Sequence, residues 1–167
     1  MGKTEDNLQH AFAGESQANR KYLFFAEKAD KEGYPQIARL FRATAEAETV
    51  HANNHFDALD GVGSTADNLK AAIAGEHEEF SEMYPPMLEQ AKADKNSTAE
   101  LSFDYANKVE KIHHGHFTRA LKALEEGTEL KEQPYYVCQV CGHTVAGEPP
   151  DTCPICGNDK SMFKKID

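Results

Sequence analysis

A repeated pattern of glutamate and histidine divides the residues before Thr128 into two similar halves. The segment AFAGE at 11–15 returns as AIAGE at 72–76, and a Glu-x-x-His motif at 48–51 returns at 110–113. The second copy of this motif lies 62 positions after the first. Such spacing is typical of a duplicated supersecondary unit whose copies bury their apolar faces together. We therefore expect two helical hairpins that pair into a four-helix bundle.

Glycine and proline mark the breaks between the helical stretches, within which apolar residues recur at intervals of three and four. Gly33 with Pro35, Gly61 with Gly63, and Gly127 separate or end successive helices. The predicted helices are 5–32, 35–60, 65–94 and 98–126.

Two local signals concern the start and the continuity of these helices. Ser97 with Glu100 predicts a capping box at the start of the fourth helix. Pro85 and Pro86 fall inside the third helix, where each proline removes a backbone hydrogen bond. We expect the helix to bend there and not to end.

The predicted buried seams of the four helices contain carboxylates and imidazoles. A buried carboxylate costs several kcal/mol unless it is paired or binds a cation, so the pattern predicts a bound cation. One Glu from each of two helices, with Glu-x-x-His from each of the other two, is the ligand pattern of di-iron carboxylate bundles. The seam residues of this kind are Glu15, Glu48, His51, Glu76, Glu79, Glu110 and His113.

The residue types suit iron chemistry. Carboxylates stabilise ferric iron and imidazole suits ferrous iron, and Glu48 and Glu110 are the natural bridges between two metals. Glu79 is an additional carboxylate, because Ala18 stands at its counterpart in the first half. Acidic residues crowd 76–82, so a solvated side chain is the alternative interpretation of Glu79.

Several other polar residues lie near these seams. Tyr22 and Tyr84 lie one or two turns from Glu15 and Glu79, where hydrogen bonding to carboxylates and core packing explain them equally well. Asn19 is a candidate donor to a metal ligand. Four histidines lack the acidic partner and are interpreted as surface or core residues: His55, His77, His114 and His116.

All the cysteines lie after Thr128, in two Cys-x-x-Cys pairs separated by 11 residues. Glycine follows each pair, at Gly142 and Gly157, which lets backbone N–H groups approach the sulfurs. Two such pairs place four thiolates tetrahedrally around one metal, and the spacing leaves zinc and iron open. A disulfide framework is the alternative, which the polar N-terminal segment without an export signal disfavours. The predicted ligands are Cys138, Cys141, Cys153 and Cys156.

The charge balance limits the partners. The chain has 18 Lys and Arg against 28 Asp and Glu, a net charge of -10, which repels nucleic acid and anionic membrane surfaces. We expect a cytoplasmic protein, because no export signal or membrane-spanning run of about 18 apolar residues is present. No Gly-x-Gly-x-x-Gly motif opens a βαβ unit, so we expect a separate reductase to supply electrons.

Taken together, these motifs resemble the rubrerythrin family over nearly the whole chain. The resemblance implies a ferritin-like di-iron four-helix bundle at 1–127, a linker at 128–134 and a rubredoxin-like iron domain at 135–167. His143, where rubredoxin-like domains often carry Tyr, and the second proline, Pro86, depart from the family pattern. The segments that carry the resemblance are AFAGES (11–16), AEAETVHANNHF (45–56), AGEHEEFSEMYP (74–85), EKIH (110–113), CQVCG (138–142) and CPICG (153–157).

The resemblance also implies a function, which is reduction of hydrogen peroxide to water in oxidative-stress defence. It implies that the seven seam residues bind the di-iron centre and that the four cysteines bind one iron. One iron of the family exchanges the additional glutamate, here Glu79, for the histidine of the first motif, here His51, on reduction. Tyr22 and Tyr84 fall where the family hydrogen-bonds its glutamates. The implied partners are hydrogen peroxide, an external rubredoxin or NAD(P)H-dependent reductase, and a second copy in a head-to-tail homodimer.

The sequence allows two arrangements of the two metal sites. The helix from Glu110 to Gly127 rises about 26 Å, which carries the cysteines away from the bundle centre. A linker of seven residues spans about 23 Å, so the cysteine domain could fold back or serve a partner subunit.

Two rival functions remain. One is a ferritin-like ferroxidase that oxidises iron and then releases it. A four-cysteine electron-transfer site has no obvious use in such a protein. The other is a helical adaptor with a zinc ribbon, which leaves the buried glutamates unexplained.

Overall fold

The computed structural model describes residues 2–166, which form mostly helices and one small sheet. The five helices are α1 (Lys3–Lys31), α2 (Pro35–Asp57), α3 (Thr65–Glu78), α4 (Tyr84–Ala93) and α5 (Ser97–Glu125). A π-helical segment, Glu79–Met83, joins α3 to α4, and three strands follow: β1 (Tyr135–Cys138), β2 (Thr144–Ala146) and β3 (Phe163–Ile166). Because the π-helical segment joins α3 and α4 into one long helix, the predicted fold class of four long helices and a small β domain is confirmed. The chain divides into two compact units, one up to Gly63 and one from Ser64 onward.

The first unit is the α1–α2 hairpin. Small residues let the two helices approach closely, and Ala26, Ala29 and Ala38 form the buried contact against Phe41. Asn19 ties the helices together at mid-length, since its amide nitrogen lies 2.7 Å from the Ala45 carbonyl oxygen. The same nitrogen lies 2.9 Å from the Thr49 hydroxyl. Asn19 is therefore a helix-to-helix donor, and the expectation that it donates to a metal ligand is wrong.

Helix α2 ends at Asp57, earlier than the predicted residue 60. The Gly61 N–H donates to the Phe56 carbonyl at 2.9 Å, which closes the last turn. Asp60 has a φ of 51°, outside the helical region. Gly61 lies beyond the end of α2 and closes its last turn from there. A helix end predicted from the position of this glycine is therefore too late in the sequence.

The second unit contains α3, the π-helical segment and α4, which pack against α5. The prediction that the third helix continues past its prolines is confirmed, and a π-helical turn accompanies them. The Tyr84 N–H donates to the Glu79 carbonyl, a wider turn than in an α-helix. Pro85 and Pro86 have no N–H group, so two carbonyls in the preceding turn lose their usual donors. The wider turn contains the residues whose carbonyls lose these donors.

The start of α5 differs from the prediction. Asn96, not Ser97, is the N-cap residue, and its side-chain oxygen accepts the Ala99 N–H at 3.1 Å. Ser97 is already the first helical residue, so it is one position too late to cap. The predicted Ser97–Glu100 capping box is therefore wrong.

This cap gives a testable stability difference. We expect Asn96→Ala to lower the free energy of unfolding by about 1 kcal/mol, because an orphan helix N–H loses its acceptor. Ser97→Ala is the matched control and should change it by less than about 0.5 kcal/mol. Urea unfolding followed by circular dichroism measures both. A larger loss for Ser97→Ala than for Asn96→Ala would contradict the assignment.

The sheet has the order β2-β1-β3, and both pairings are antiparallel. Tyr135 lies opposite Ala146 on one side and opposite Ile166 on the other. The core of this domain is small: Cys138, Cys141 and Cys153 are buried with Phe163. So few apolar side chains stabilise a domain of this size poorly, and a bound metal would supply the rest.

In the described residues, no helix is both long enough and apolar enough to cross a membrane.

Candidate metal centres

The first unit contains one cluster of possible metal ligands. Glu15 on α1 faces Glu48 and His51 on α2, and one ligand atom from each lies within 4.8 Å of the others. His51 Nδ1 lies 2.9 Å from Glu48 Oε2 and 3.9 Å from Glu15 Oε1. The i, i+3 spacing places Glu48 and His51 on one helix face, so the two side chains meet. We call these three residues the first half-centre.

The second unit contains the matching cluster. Glu76 on α3 faces Glu110 and His113 on α5, again with ligand atoms within 4.8 Å of one another. His113 Nδ1 lies 2.7 Å from Glu110 Oε2 and 3.7 Å from Glu76 Oε2. We call these three residues the second half-centre. The sequence repeat therefore produces two clusters of the same composition, each with Nδ1 directed at its carboxylates.

The second half-centre fits a cation because it contains an unpaired buried oxygen. Glu76 Oε2 is buried and has no hydrogen-bond partner among the described residues. Burial and the neighbouring Glu110 raise the pKa of Glu76 to about 7. A group of this kind is costly as a bare carboxylate and is stabilised by a bound cation. The donor set of two carboxylates and one imidazole suits iron.

Glu79 lies at the first position of the π-helical segment and, unlike the other predicted ligands of this unit, is not among the residues whose ligand atoms lie within 4.8 Å of one another. Burial raises its pKa, and the charge of Glu110 raises it further, whereas His113 lowers it. These interactions place the carboxyl of Glu79 in the electrostatic field of the second half-centre. The π-helical turn is a feature that often marks functional sites.

The two tyrosines differ in their surroundings. Burial raises the pKa of Tyr84, and the carboxylates of Glu110, Glu79 and Glu76 raise it further. Tyr84 is therefore near the second half-centre and keeps its phenolic proton. Tyr22 packs among aromatic rings, with its ring centroid 6.1 Å from that of Phe41. Between residues 2 and 166, no hydrogen bond joins Tyr22 or Tyr84 to a carboxylate.

The raised pKa of Glu76 predicts how metal-free protein responds to pH. Between about pH 4.5 and 7 the folded state retains a proton that the unfolded chain has released, so rising pH favours unfolding. Glu76→Gln cannot ionise, and we expect it to gain stability relative to the parent protein across this interval. Urea unfolding of chelator-treated protein at several pH values measures the difference.

The control for this prediction is Glu125→Gln, at an exposed glutamate of α5. Its stability relative to the parent protein should stay constant over the same pH interval. A constant difference for Glu76→Gln as well would contradict the prediction.

The cysteines form the third cluster. All four sulfurs lie within 4.8 Å of one another, with Cys138 Sγ 3.7 Å from Cys156 Sγ and Cys141 Sγ 3.6 Å from Cys153 Sγ. Metal–sulfur bonds of about 2.3 Å place tetrahedral sulfurs about 3.8 Å apart, which matches these separations. The cysteines are free thiols, and the alternative of a disulfide framework is wrong.

Each Cys-x-x-Cys pair is closed by the same turn. The Gly142 N–H donates to the Cys138 carbonyl at 2.9 Å, and the Gly157 N–H donates to the Cys153 carbonyl at 2.8 Å. Both glycines have a positive φ, 80° and 74°, which residues with a side chain rarely adopt. Each glycine therefore closes the turn that directs two sulfurs to one point. The residue after each glycine, His143 or Asn158, brings its backbone N–H to a sulfur, as predicted.

Hydrogen bonding and burial act in opposite directions on these sulfurs. Burial raises the pKa of Cys141 and of Cys153. Burial also opposes ionisation of Cys156, but the backbone and side-chain N–H groups of Asn158 lower its pKa to about 7. The two buried thiols need a bound cation to persist as thiolates, so the cluster is fitted for a metal.

Within the second unit, the cysteine domain lies against α5. His113 Nε2 is 2.9 Å from the Thr144 hydroxyl, and His116 Nε2 is 3.0 Å from the Thr144 carbonyl oxygen. Tyr105 of α5 packs against the cysteine core. The chain thus folds back onto its own second half-centre, which is one of the two paths left open by the linker length.

The sequence pattern did not indicate the roles of Thr144 and His116. Thr144 is 31 residues from His113, and no local spacing connects them. His116 was assigned to the surface or core, and only the strand that packs on it distinguishes it from the other histidines. A signal was available in the side-chain spacing, because His116 lies one turn after His113 on the same face of α5.

Comparison with known proteins gives two family matches. Residues 6–122 match the rubrerythrin family, and residues 136–164 match the family described as the rubredoxin-like domain of rubrerythrin.

Two relatives match this chain over most of their own length. The chain is 39% identical to Rubrerythrin-2 of Clostridium acetobutylicum, over 96% of this chain and 95% of the relative. It is also 39% identical to a rubrerythrin of Porphyromonas gingivalis, over 98% of this chain and 90% of the relative. Among solved structures, fully reduced, all-ferrous nigerythrin matches with a TM-score of 0.59 and 32% identity, over 99% of this chain and 88% of that one.

These matches settle the cofactors at the level of the family. The two matched domains and the three ligand clusters give this chain a di-iron centre with Glu and His ligands and one iron in the four-cysteine site. The zinc alternative left open by the cysteine spacing is thereby resolved in favour of iron. Family membership supports a general role in peroxide reduction and oxidative-stress defence. The chain belongs to the rubrerythrin family.

Proposed function

We propose that this protein reduces hydrogen peroxide to water and receives the electrons through its four-cysteine iron. Hydrogen peroxide takes up two electrons and two protons and yields two water molecules. When bound, a di-iron centre supplies two electrons in one event, one from each iron. The observation that carries the proposal is the contact between the cysteine domain and His113, which connects an electron-transfer site to a peroxide-reducing one.

We propose the following ligand roles, by position in the family motifs. The two half-centres would hold the di-iron centre, with Glu48 and Glu110 as its bridging ligands. Glu79 would supply an additional carboxylate to ferric iron and His51 a nitrogen to ferrous iron in its place, because an anionic oxygen suits ferric iron and a neutral nitrogen suits ferrous iron. The full ligand set is Glu15, Glu48, His51, Glu76, Glu79, Glu110 and His113. The four-cysteine iron is bound by Cys138, Cys141, Cys153 and Cys156.

The side chains around the second half-centre can supply the protons. The raised pKa of Tyr84 keeps a proton on its hydroxyl oxygen, where the hydroxyl can donate a hydrogen bond to the leaving oxygen of peroxide. The raised pKa of Glu79 favours a proton on its carboxyl group whenever it is not a metal ligand. We assign these two residues to proton delivery. Tyr22 has the corresponding place on the other hairpin.

The partners follow from the same proposal. An external rubredoxin or an NAD(P)H-dependent reductase delivers electrons to the cysteine domain, where Cys156 is the least buried ligand. Exposed apolar side chains on α1 and α2, among them Phe24 and Leu40, support a homodimer. Four free thiols persist in a reducing compartment, which supports the cytoplasm as the site of action.

Single-turnover oxidation tests the proposed reaction. Protein reconstituted anaerobically with ferrous iron is mixed with one equivalent of hydrogen peroxide per di-iron centre, or with the same amount of dioxygen. We expect peroxide to oxidise the centre much faster than dioxygen does, followed by oxidation of the four-cysteine iron.

Two outcomes would contradict the proposal. Faster oxidation by dioxygen, with release of ferric iron, would favour a ferroxidase. If neither oxidant oxidises the centre, the protein does not reduce peroxide and the proposal is wrong. Light scattering of the same preparation measures whether the protein is a dimer.

A further inference from the structure

The hydroxyl of Thr144 lies between the two metal sites of the second unit. Thr144 begins β2, three residues after Cys141, and its Oγ1 lies 2.9 Å from His113 Nε2. The opposite ring nitrogen of His113, Nδ1, faces Glu110 and Glu76. The imidazole is therefore held on one edge by the cysteine domain and presents its other edge to the carboxylates.

The hydrogen bonds around Thr144 fix the position of its proton. Its Oγ1 also lies 3.1 Å from the Gly142 carbonyl oxygen, which can only accept a hydrogen bond. A threonine hydroxyl has one proton, so it donates to Gly142 and accepts the N–H of His113 Nε2. Nδ1 of a neutral His113 then has its lone pair directed between the two glutamates, as a metal ligand requires.

The strand that contains Thr144 is held on α5 by a second histidine. Arg119 can only donate, and its Nη2 lies 2.8 Å from His116 Nδ1. His116 Nδ1 therefore accepts, and His116 Nε2 donates its proton to the Thr144 carbonyl at 3.0 Å. On its other side β2 pairs with β1, where Thr144 lies opposite Val137. The hydroxyl is thus fixed from three directions, which a positioning role demands.

A continuous bonded route leads from the cysteine site to His113. The backbone N–H of His143 hydrogen-bonds to Cys141 and lowers the pKa of its thiol against the effect of burial. The next peptide bond joins His143 to Thr144, whose hydroxyl meets His113 Nε2. The route from the sulfur of Cys141 to the carboxylates of the second half-centre therefore crosses one peptide, one hydroxyl and one imidazole ring.

We propose that Thr144 is a positioning residue that holds His113 in its metal-binding tautomer and connects the four-cysteine iron to the di-iron centre of the chain's own second half-centre. The inference rests on the proposed function, in which His113 is a ligand of that centre. In each transfer one electron leaves the ferrous four-cysteine iron, which becomes ferric, and reduces one ferric iron of the di-iron centre. An external one-electron donor protein then reduces the four-cysteine iron again. No covalent bond forms or breaks at Thr144.

The test compares Thr144→Val, which removes only the hydroxyl and keeps the shape, with Thr144→Ser, which restores it. Thr152→Val is the matched control, because Thr152 is an exposed threonine of the same domain. The first measurement is the rate at which fully reduced protein loses ferrous iron from the bundle to a coloured ferrous chelator. We expect Thr144→Val to accelerate this loss about 10-fold, the usual effect of removing a hydrogen-bond partner of a metal ligand.

The second measurement follows electron transfer within the protein. Fully reduced protein is mixed rapidly with one equivalent of hydrogen peroxide per di-iron centre, and the return of the ferric four-cysteine absorption is recorded. We expect Thr144→Val to slow this return about 10-fold, and Thr144→Ser and Thr152→Val to stay within about twofold of the parent protein.

The outcomes separate this inference from the proposed function. If Thr144→Val matches the parent protein in both measurements, or if Thr144→Ser behaves like Thr144→Val, the positioning role is wrong. If the parent protein does not react with peroxide, the proposed function fails, and the iron-release comparison still decides whether Thr144 positions His113. An unchanged absorption spectrum of the ferric four-cysteine iron shows that each variant has kept the fold of its cysteine domain.

Discussion

Replacing Glu110 by alanine is expected to empty the di-iron centre while the four-cysteine iron stays bound. Glu110 Oε2 lies 2.7 Å from His113 Nδ1, and the charge of Glu110 is felt by Glu76, Glu79 and Tyr84. Loss of Glu110 removes a proposed bridging ligand and leaves the remaining members of the second half-centre without their common partner.

We expect peroxide turnover by Glu110→Ala to fall by more than about 100-fold, since loss of a group that merely supports a metal ligand already costs about 10- to 100-fold. Iron analysis after anaerobic reconstitution, together with the visible spectrum, measures which site has lost its metal. Glu125→Ala, an exposed glutamate on the same helix, should retain both sites and full turnover. Full iron content in Glu110→Ala would contradict the proposed bridge.

Replacing Cys153 by serine is expected to abolish turnover driven by an external reductase but not a single oxidation by peroxide. Cys153 is 1% exposed, and its sulfur lies 3.6 Å from that of Cys141. A hydroxyl at this point is a poor ligand for iron, and burying a hydroxyl costs free energy unless it is hydrogen-bonded. Metal binding supplies roughly 10 kcal/mol or more of folding free energy to small four-ligand domains, so the sheet should loosen as well.

Steady-state and single-turnover assays of Cys153→Ser distinguish the two metal sites. We expect reductase-driven turnover to fall by more than about 100-fold, because even disturbing the support of a metal ligand costs 10- to 100-fold. Peroxide should still oxidise the prereduced di-iron centre. Val140→Ser, at an exposed position within the first Cys-x-x-Cys pair, is the control and should behave like the parent protein. Reductase-driven turnover that survives in Cys153→Ser would show that electrons enter by another route.

The parts of the structure that could be predicted from the sequence depend on local periodicity. The pairing of Glu48 with His51, and of Glu110 with His113, follows from helix geometry alone, and the structure places both pairs in contact. The four cysteine sulfurs converge because each pair is closed by the same short turn. Such features need only a few neighbouring residues, which is why spacing was sufficient to find them.

The features that could not be predicted are of two kinds. In one, adjacent residues are equally suited to the same role, and in the other, the contact joins residues far apart in the sequence. Asn96 and Ser97 are both good capping residues, and only the backbone geometry decides which one caps. The contact of Thr144 with His113 requires the linker to bring a strand back to α5, and no periodic pattern encodes that return. The residues assigned to the di-iron ligand set remain a prediction, although each of the two half-centres has formed.

The π-helical turn before the two prolines records a difference in length between the two hairpins. Glu15 and Glu76 are 61 positions apart, whereas the helix ends at Lys31 and Ala93 are 62 apart. The second hairpin therefore has one residue more than the first, inserted within the stretch that contains the π-helical turn. The same stretch contains Glu79, a carboxylate with no equivalent in the first hairpin. A protein built from two copies of one unit has in this way become asymmetric, because only the second hairpin offers a carboxylate at this place. In the proposed ligand set the two irons are therefore not equivalent.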